Sequence, residues 1–252
     1  MTRVLDQLRR RSAPLTALAV MHLAMLAVFL VAGALDDTLI LGINRWIKPA
    51  KFAISIAIYL ATIAWLLPDT GVVDRARARV VAIIGATLTY EMLAIGLQAA
   101  RGTTSHYNIA SAFDAAIFSS MGAAILVNTL AAAYLARGAW RRLHREPSGY
   151  QSGIVAGFAL FLVGSAIGGW LVSNNGHTVG APDGGPGLPL VNWSRESGDL
   201  RIAHFVGLHA LQFLPPVGLL CGARVVWIAA GAWLLLTGAL ALQAGMGLPL
   251  FR

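Results

Sequence analysis

The chain has 252 residues, of which 57% are hydrophobic and 12% charged. A soluble domain carries about 25% charged residues, so this composition excludes a water-soluble globular fold. The net charge of +8, from 19 Lys and Arg against 11 Asp and Glu, gathers at the ends of apolar stretches. That pattern reads as membrane topology and not as a nucleic-acid surface; the lipid bilayer is the expected partner, and no nucleic acid is. The single Cys221 excludes an internal disulfide and a cysteine-based metal cluster.

In chain order, apolar runs predict transmembrane helices at 14–35, 50–67, 80–100, 109–136, 153–173, 202–221 and 225–247. Each is long enough to cross about 30 Å of hydrocarbon, where backbone groups must be satisfied within a helix. The first run follows a basic start with Arg3, Arg9, Arg10 and Arg11. It is longer than a signal-peptide core, so it reads as an uncleaved helix. Twelve Lys and Arg fall at one set of helix ends (3, 9–11, 75–79, 137–145, 224) and seven at the other (45, 48, 51, 101, 195, 201, 252). The richer side is cytoplasmic by the positive-inside rule. The expected protein is therefore all-α, a polytopic bundle of about seven helices forming one integral membrane domain over 1–252. It would lie in a bacterial-type inner membrane with its N-terminus in and its C-terminus out.

The fifth span carries small residues four apart: Gly153 and Gly157, Gly164 and Gly168, Ser165 and Gly169. Such pairs let helix backbones approach closely in lipid, and intramolecular packing is the expected use. The long Gly- and Pro-rich connection at 174–200 contains His177, Asp183 and Trp193. Its length, with spaced apolar residues, predicts a packed lid.

Polar residues concentrate on the other, extracytoplasmic side. On the second span Lys48, Lys51, Ser55, Tyr59 and Thr62 fall within about 80° at about 100° per residue. Thr87, Glu91 and Gln98 share a face of the third, and Ser111, Asp114 and Asn128 a face of the fourth. Arg201, His204, His209 and Gln212 spread over about 140° of the sixth. An acid or base at a helix centre costs about 2.5–3.5 kcal/mol to insert, so it normally faces the interior or a wet cavity. The predicted site is an outward-opening cavity. Glu91, Asp114 and His209 are its candidate acid–base groups. Lys48, Lys51, Tyr59, Gln98, Arg101, Asn108, Asp183, Trp193, Arg201 and Gln212 are candidate ligand contacts. His106, His204, His209 and Asp114 suit a divalent metal, although the five-residue spacing of His204 and His209 separates them by about 140° on an ideal helix. His22, near the middle of the first span, reads as a buried neutral histidine with one hydrogen bond.

The stretches NRWIKPAKF, RGTTSHYN and GAPDGGPGLPLVNWSRESGDLRIAHFVGLHALQFLP resemble signatures of a family of uncharacterised bacterial multi-pass membrane proteins. That resemblance implies no activity. A looser likeness to seven-helix metal-dependent hydrolases of the ceramidase and adiponectin-receptor type rests on Ser105, His106, Asp114, His204 and His209. It implies zinc chemistry as an analogy only.

Three functions follow as expectations. The first is a protein that binds or acts on a small or amphipathic, anionic ligand. The second is a b-type haem protein, which needs two axial ligands on facing helices. The third is a proton-coupled transporter using Glu91 and Asp114. The charge asymmetry also makes a topology prediction. A reporter active only outside the cytoplasm, fused after Arg252, is expected to be active, and the same reporter fused after His144 inactive. The reverse at either fusion would overturn the assignment of sides.

Overall fold

Apolar runs whose backbone has no water to bond fold as helices, and seven of them do so here. A computed structural model describes residues 2–251. The helices are α1 (Thr2–Leu35), α2 (Ile47–Leu66), α3 (Asp74–Ala100), α4 (Ala112–Arg145), α5 (Gly149–Ser173), α6 (Leu200–Cys221) and α7 (Ala223–Gly245). All seven are long and apolar enough to cross a membrane. Two short antiparallel pairs, β1 (Leu39–Ile40) with β2 (Ile43–Asn44) and β3 (Thr178–Val179) with β4 (Gly198–Asp199), close the connections after α1 and α5. Several helices overrun the predicted spans: α3 begins at Asp74 rather than 80, and α4 ends at Arg145 rather than 136. Hydropathy marks the hydrocarbon, and a helix continues past it wherever its charged side chains reach water. The chain, read from sequence as one domain, divides by its contacts into two compact units, 1–131 and 132–252, with the division inside α4.

In the first unit α1 packs on α2, and both meet α3. Ser12 is extended and interrupts α1, so the Arg-rich start is a separate helical segment and the spanning segment begins about where the sequence placed it. Pro14 then sits in a first turn, where its missing N–H costs nothing. Arg11 anchors the break by donating to Trp65 O at 2.6 Å and to Asp69 at 2.7 Å. At the opposite end of α1, Leu41 and Gly42, both at positive φ, form a two-residue turn of the primed type that suits the right-handed twist of a hairpin. Asp36 ties that hairpin down: it accepts from Thr38 N at 3.0 Å and Trp46 Nε1 at 2.9 Å and pairs with Arg45. Those donors, Thr38 foremost, hold its carboxyl well below the usual carboxylate range.

In the second unit α5 and α6 lie backbone to backbone. A Cβ added at Gly153 would stand 2.7 Å from Pro215 Cα, and one at Gly164 2.6 Å from Leu208 N. On the facing helix, a Cβ at Gly207 would stand 2.6 Å from Gly164 Cα. The Gly153/Gly157 and Gly164/Gly168 pairs both lie in this seam. The third expected pair does not: Gly169 has open space beside it, and Ser165 bonds back to Phe161 O at 2.9 Å. Pro215 and Pro216 interrupt neither the seam nor the continuity of α6.

The 174–199 connection is folded. β3 and β4 pair at its base, Gly198 lies against Ala244 of α7, and Val179 joins Leu171, Leu200 and Ala244 in a small core. Trp193 packs edge-on against Phe205 and flat against Phe251. Asp199 caps α6 by accepting from Arg201 N at 3.0 Å.

The seam makes a sharp prediction. Alanine is better than glycine in a helix by about 1 kcal/mol, so Gly169→Ala, in open space, is expected to leave the thermal midpoint unchanged or raised. Gly153→Ala pushes a methyl into the α6 main chain and is expected to lower stability by about 1–3 kcal/mol. Thermal unfolding of the two detergent-solubilised variants checks this, and equal midpoints would remove the seam from the account of stability.

Candidate functional site

The candidate site lies in the first unit, where the 101–111 connection meets α2 and α3. The chain leaves α3 at Ala100, turns at Gly102 with φ +73° and at Tyr107 with φ +57°, and enters α4 at Ala112. Buried Asn108 holds the turn by donating to Thr103 Oγ1 at 2.9 Å and Thr104 O at 3.1 Å and accepting from Ala110 N at 3.1 Å. So braced, the connection presents His106 to its neighbours.

Lys48, in the first turn of α2, places Nζ 3.3 Å from His106 Nδ1, and Ser105 Oγ lies 3.1 Å from the same nitrogen. A lysine ammonium only donates, so Nδ1 is the acceptor and the ring proton sits on Nε2. That nitrogen is directed at Glu91 of α3, 3.6 Å from Oε1. The gap is longer than a hydrogen bond and closes with a small shift of either side chain. Glu91 is 2% exposed, and its Oε2 has no hydrogen-bond partner among the described residues. Glu91 sits nine residues from the end of α3, about 14 Å along the helix at 1.5 Å per residue. Phe52, Tyr107 and Phe118 surround the imidazole with ring centroids 5.9–6.2 Å away. The arrangement is a line of three titratable groups, from a helix end to a carboxylate at membrane depth, in an aromatic sleeve.

A second cluster ties the same helix ends together. Asp114 accepts from Gln98 Nε2 at 2.8 Å, from Arg101 at 2.5 Å and from Ser111 Oγ at 2.6 Å, while its own N–H donates to Ser111 Oγ at 3.1 Å. Ser111 caps α4, which is why that helix begins later than expected. Arg101 also lies over the Phe113 ring at 4.7 Å and donates to Gln98. Gln98, Arg101 and Asp114, expected as separate ligand and acid–base groups, are partners of one another. Deeper in α2, Tyr59 faces the Asn128 side chain of α4. Ser55, expected on the same polar stripe, is exposed.

The remaining candidates are in the second unit, each with partners of its own. Asp183 accepts from His177 N at 3.0 Å, His177 Nδ1 at 2.6 Å, Thr178 N at 2.9 Å and Thr178 Oγ1 at 2.8 Å. Arg201, expected to attract an anion, is held by Asp199, with Nε donating at 2.9 Å and Nη2 at 2.6 Å, and by Asn192 O. His204 Nδ1 bonds Gly164 O at 2.7 Å across the glycine seam. His209 bonds Phe205 O at 2.8 Å and is half-exposed, in line with exposed Phe205 and Phe213. Within its own unit it is therefore not enclosed as expected. Gln212 is half-buried on α6 and Trp193 is part of the folded connection. Among the described residues no group of three or more His, Cys, Asp or Glu is placed to hold a metal ion. By solvent exposure His22 is the one fully buried histidine among the described residues, and His204 is enclosed at the glycine seam.

Sequence reasoning named Lys48, Glu91 and His106 but did not group them, and it missed Phe52 and Phe118. Tyr107, next to His106, was the available signal for an aromatic sleeve. The His177–Asp183 pair, six residues apart in a turn-rich segment, was legible as two polar residues only.

Compared with known proteins, the chain matches no family model, no curated protein and no solved structure.

Burial by itself would raise the Asp183 carboxyl; the hydrogen bonds and charge of His177, with the Thr178 donors, outweigh it and hold the group well below the usual carboxylate range. A carboxylate so depressed contributes stability that is fully present above its unfolded value of about 3.9 and is lost as pH falls through the folded one. Fluorescence of Trp193, isolated by replacing the other tryptophans, is expected to report loosening of the connection only below about pH 4. Asp183→Asn is expected to remove that transition; its persistence would detach Asp183 from the fold of the segment.

Proposed function

We propose that the protein is a multi-pass protein of a bacterial-type inner membrane, N-terminus in and C-terminus out, whose first unit carries an extracytoplasmic-facing proton-transfer site. Glu91 is the proton-accepting group, His106 the relay, and Lys48 the charge that fixes the relay's tautomer. The observation that carries this reading is Glu91 itself: a carboxyl 2% exposed, one oxygen without a partner, the other 3.6 Å from an imidazole Nε2. A carboxyl used only for packing would have both oxygens satisfied, as those of Asp114 are. The orientation rests on the twelve-against-seven division of Lys and Arg.

The chemistry is one of proton exchange. His106 takes a proton at Nδ1 from the medium or from a bound molecule, becoming imidazolium, and passes its Nε2 proton to the Glu91 carboxylate; rotation or reverse transfer then restores the starting tautomer. The aromatic sleeve suits a small or amphipathic ligand with an exchangeable proton, and a proton-coupled transporter is the class of protein that best uses such a line. A dedicated anion site draws less support, because Arg101 and Arg201 are already neutralised by Asp114 and Asp199.

Infrared difference spectroscopy on oriented proteoliposomes tests the reading. Stepping the external pH is expected to change a carboxyl band that is absent in Glu91→Gln. In His106→Ala the response is expected to slow by about a hundredfold, the usual size of a general acid–base contribution. A band indifferent to external pH, or a His106→Ala response as fast as wild type, would overturn the assignment.

A further inference from the structure

Resting on that reading of Glu91, we propose that a hydrated proton path continues inward from it through the first unit, with His22 of α1 as the next proton-accepting station. The helices of this unit hold five buried polar atoms with no hydrogen-bond partner among the described residues: Arg77 Nε near the start of α3 and, deeper in, His22 Nε2, Thr89 Oγ1, Glu91 Oε2 and Asn128 Oδ1. Tyr59 faces the same Asn128. Leaving one such atom unsatisfied costs about 1–3 kcal/mol, so each calls for a partner such as an internal water. Internal water satisfies groups of this kind when two to four polar partners surround it.

The groups are also ordered in depth. Measured along each helix from the end that carries the 36–46 or 101–111 connection, at 1.5 Å per residue, Glu91 lies about 14 Å in, Thr89 about 17 Å, Tyr59 about 18 Å, His22 about 20 Å and Asn128 about 24 Å. They step inward from where His106 stops.

His22 is built as an acceptor. Its ring is fully buried, and Nδ1 lies 2.8 Å from Leu18 O, one turn back on the same helix. A carbonyl only accepts, so Nδ1 carries the proton and Nε2 is left as a free lone pair inside the unit. A proton released by the Glu91 carboxyl to water moves on to His22 Nε2, leaving a carboxylate and an imidazolium. The next proton from His106 restores Glu91, and release from Nε2 toward the other face restores His22. One proton enters and one leaves, with no side chain changed. Below His22 the same helix carries buried Thr16 and Ser12, which continue the hydroxyl line to the break in α1.

Proton flux into proteoliposomes separates this path from the Glu91 relay. With an internal pH dye and a potassium diffusion potential, wild-type vesicles are expected to acidify several-fold faster than protein-free ones. His22→Gln and the near-isosteric Thr89→Val are both expected to fall to the protein-free rate while keeping the Glu91 infrared band and its response to external pH. Wild-type flux equal to protein-free vesicles, or both variants conducting like wild type, would overturn the path. Persistence of the His106-dependent Glu91 response in that case leaves the relay standing, and its loss removes both. Thr89→Val replaces a hydroxyl that has no hydrogen-bond partner among the described residues, so its fold is expected to survive even where that of His22→Gln does not.

Discussion

A polar group inside a bilayer has no solvent to fall back on, and each one must find its partner within the chain. In the first unit this constraint decides where Asp114, Gln98, Arg101 and Ser111 sit: each satisfies another, and together they clamp the end of α3 to the start of α4. The turn that displays His106 depends on that clamp and on Asn108. The constraint is not met at Glu91 and His22, which lie at different depths of the same unit with Thr89 between them. They are departures from the rule that a purely structural sequence would have removed.

The second unit answers the same constraint differently. Its central contact is made by glycines, so that backbone meets backbone, and the polar chemistry withdraws to the helix ends. Asp183 and Asp199 each collect several donors there and turn a long irregular segment into a defined structure. Arg201, which in isolation looks like an anion trap, is one of those donors.

Number, class and approximate position of the helices were legible in the sequence, because hydrocarbon imposes its thickness on apolar runs. Helix ends were less so: the overrun of α3 and α4 depends on water-facing arginines that hydropathy counts against a span. The small-residue spacing identified two seam pairs and mistakenly added Ser165 with Gly169, since spacing cannot say which side of a helix has a neighbour. At the site, the cost of burying a charge picked out Glu91 and Asp114 equally. What distinguishes them is satisfaction, and that depends on Ser111, Gln98 and Arg101 arriving from other segments. The four residues read as metal ligands divide between the two units, and within each unit their local partners were not readable: His106 is oriented by Lys48, and His204 by a carbonyl forty residues away.

The two kinds of close glycine contact in this chain have different evolutionary prospects. Gly85 in α3 faces the end of the Leu18 side chain, 2.6 Å from where a Cβ would stand. A larger residue there is accommodated by trimming or reorienting Leu18, so this pair can drift together as a covarying couple. Gly153 and Gly164 face main-chain atoms of α6, and no substitution elsewhere makes a main chain smaller. A change at Gly85 is thus relieved by a second change at Leu18, whereas a change at Gly153 or Gly164 is relieved only if α5 and α6 move apart, so the two contacts differ in whether a partner side chain or a helix must give way.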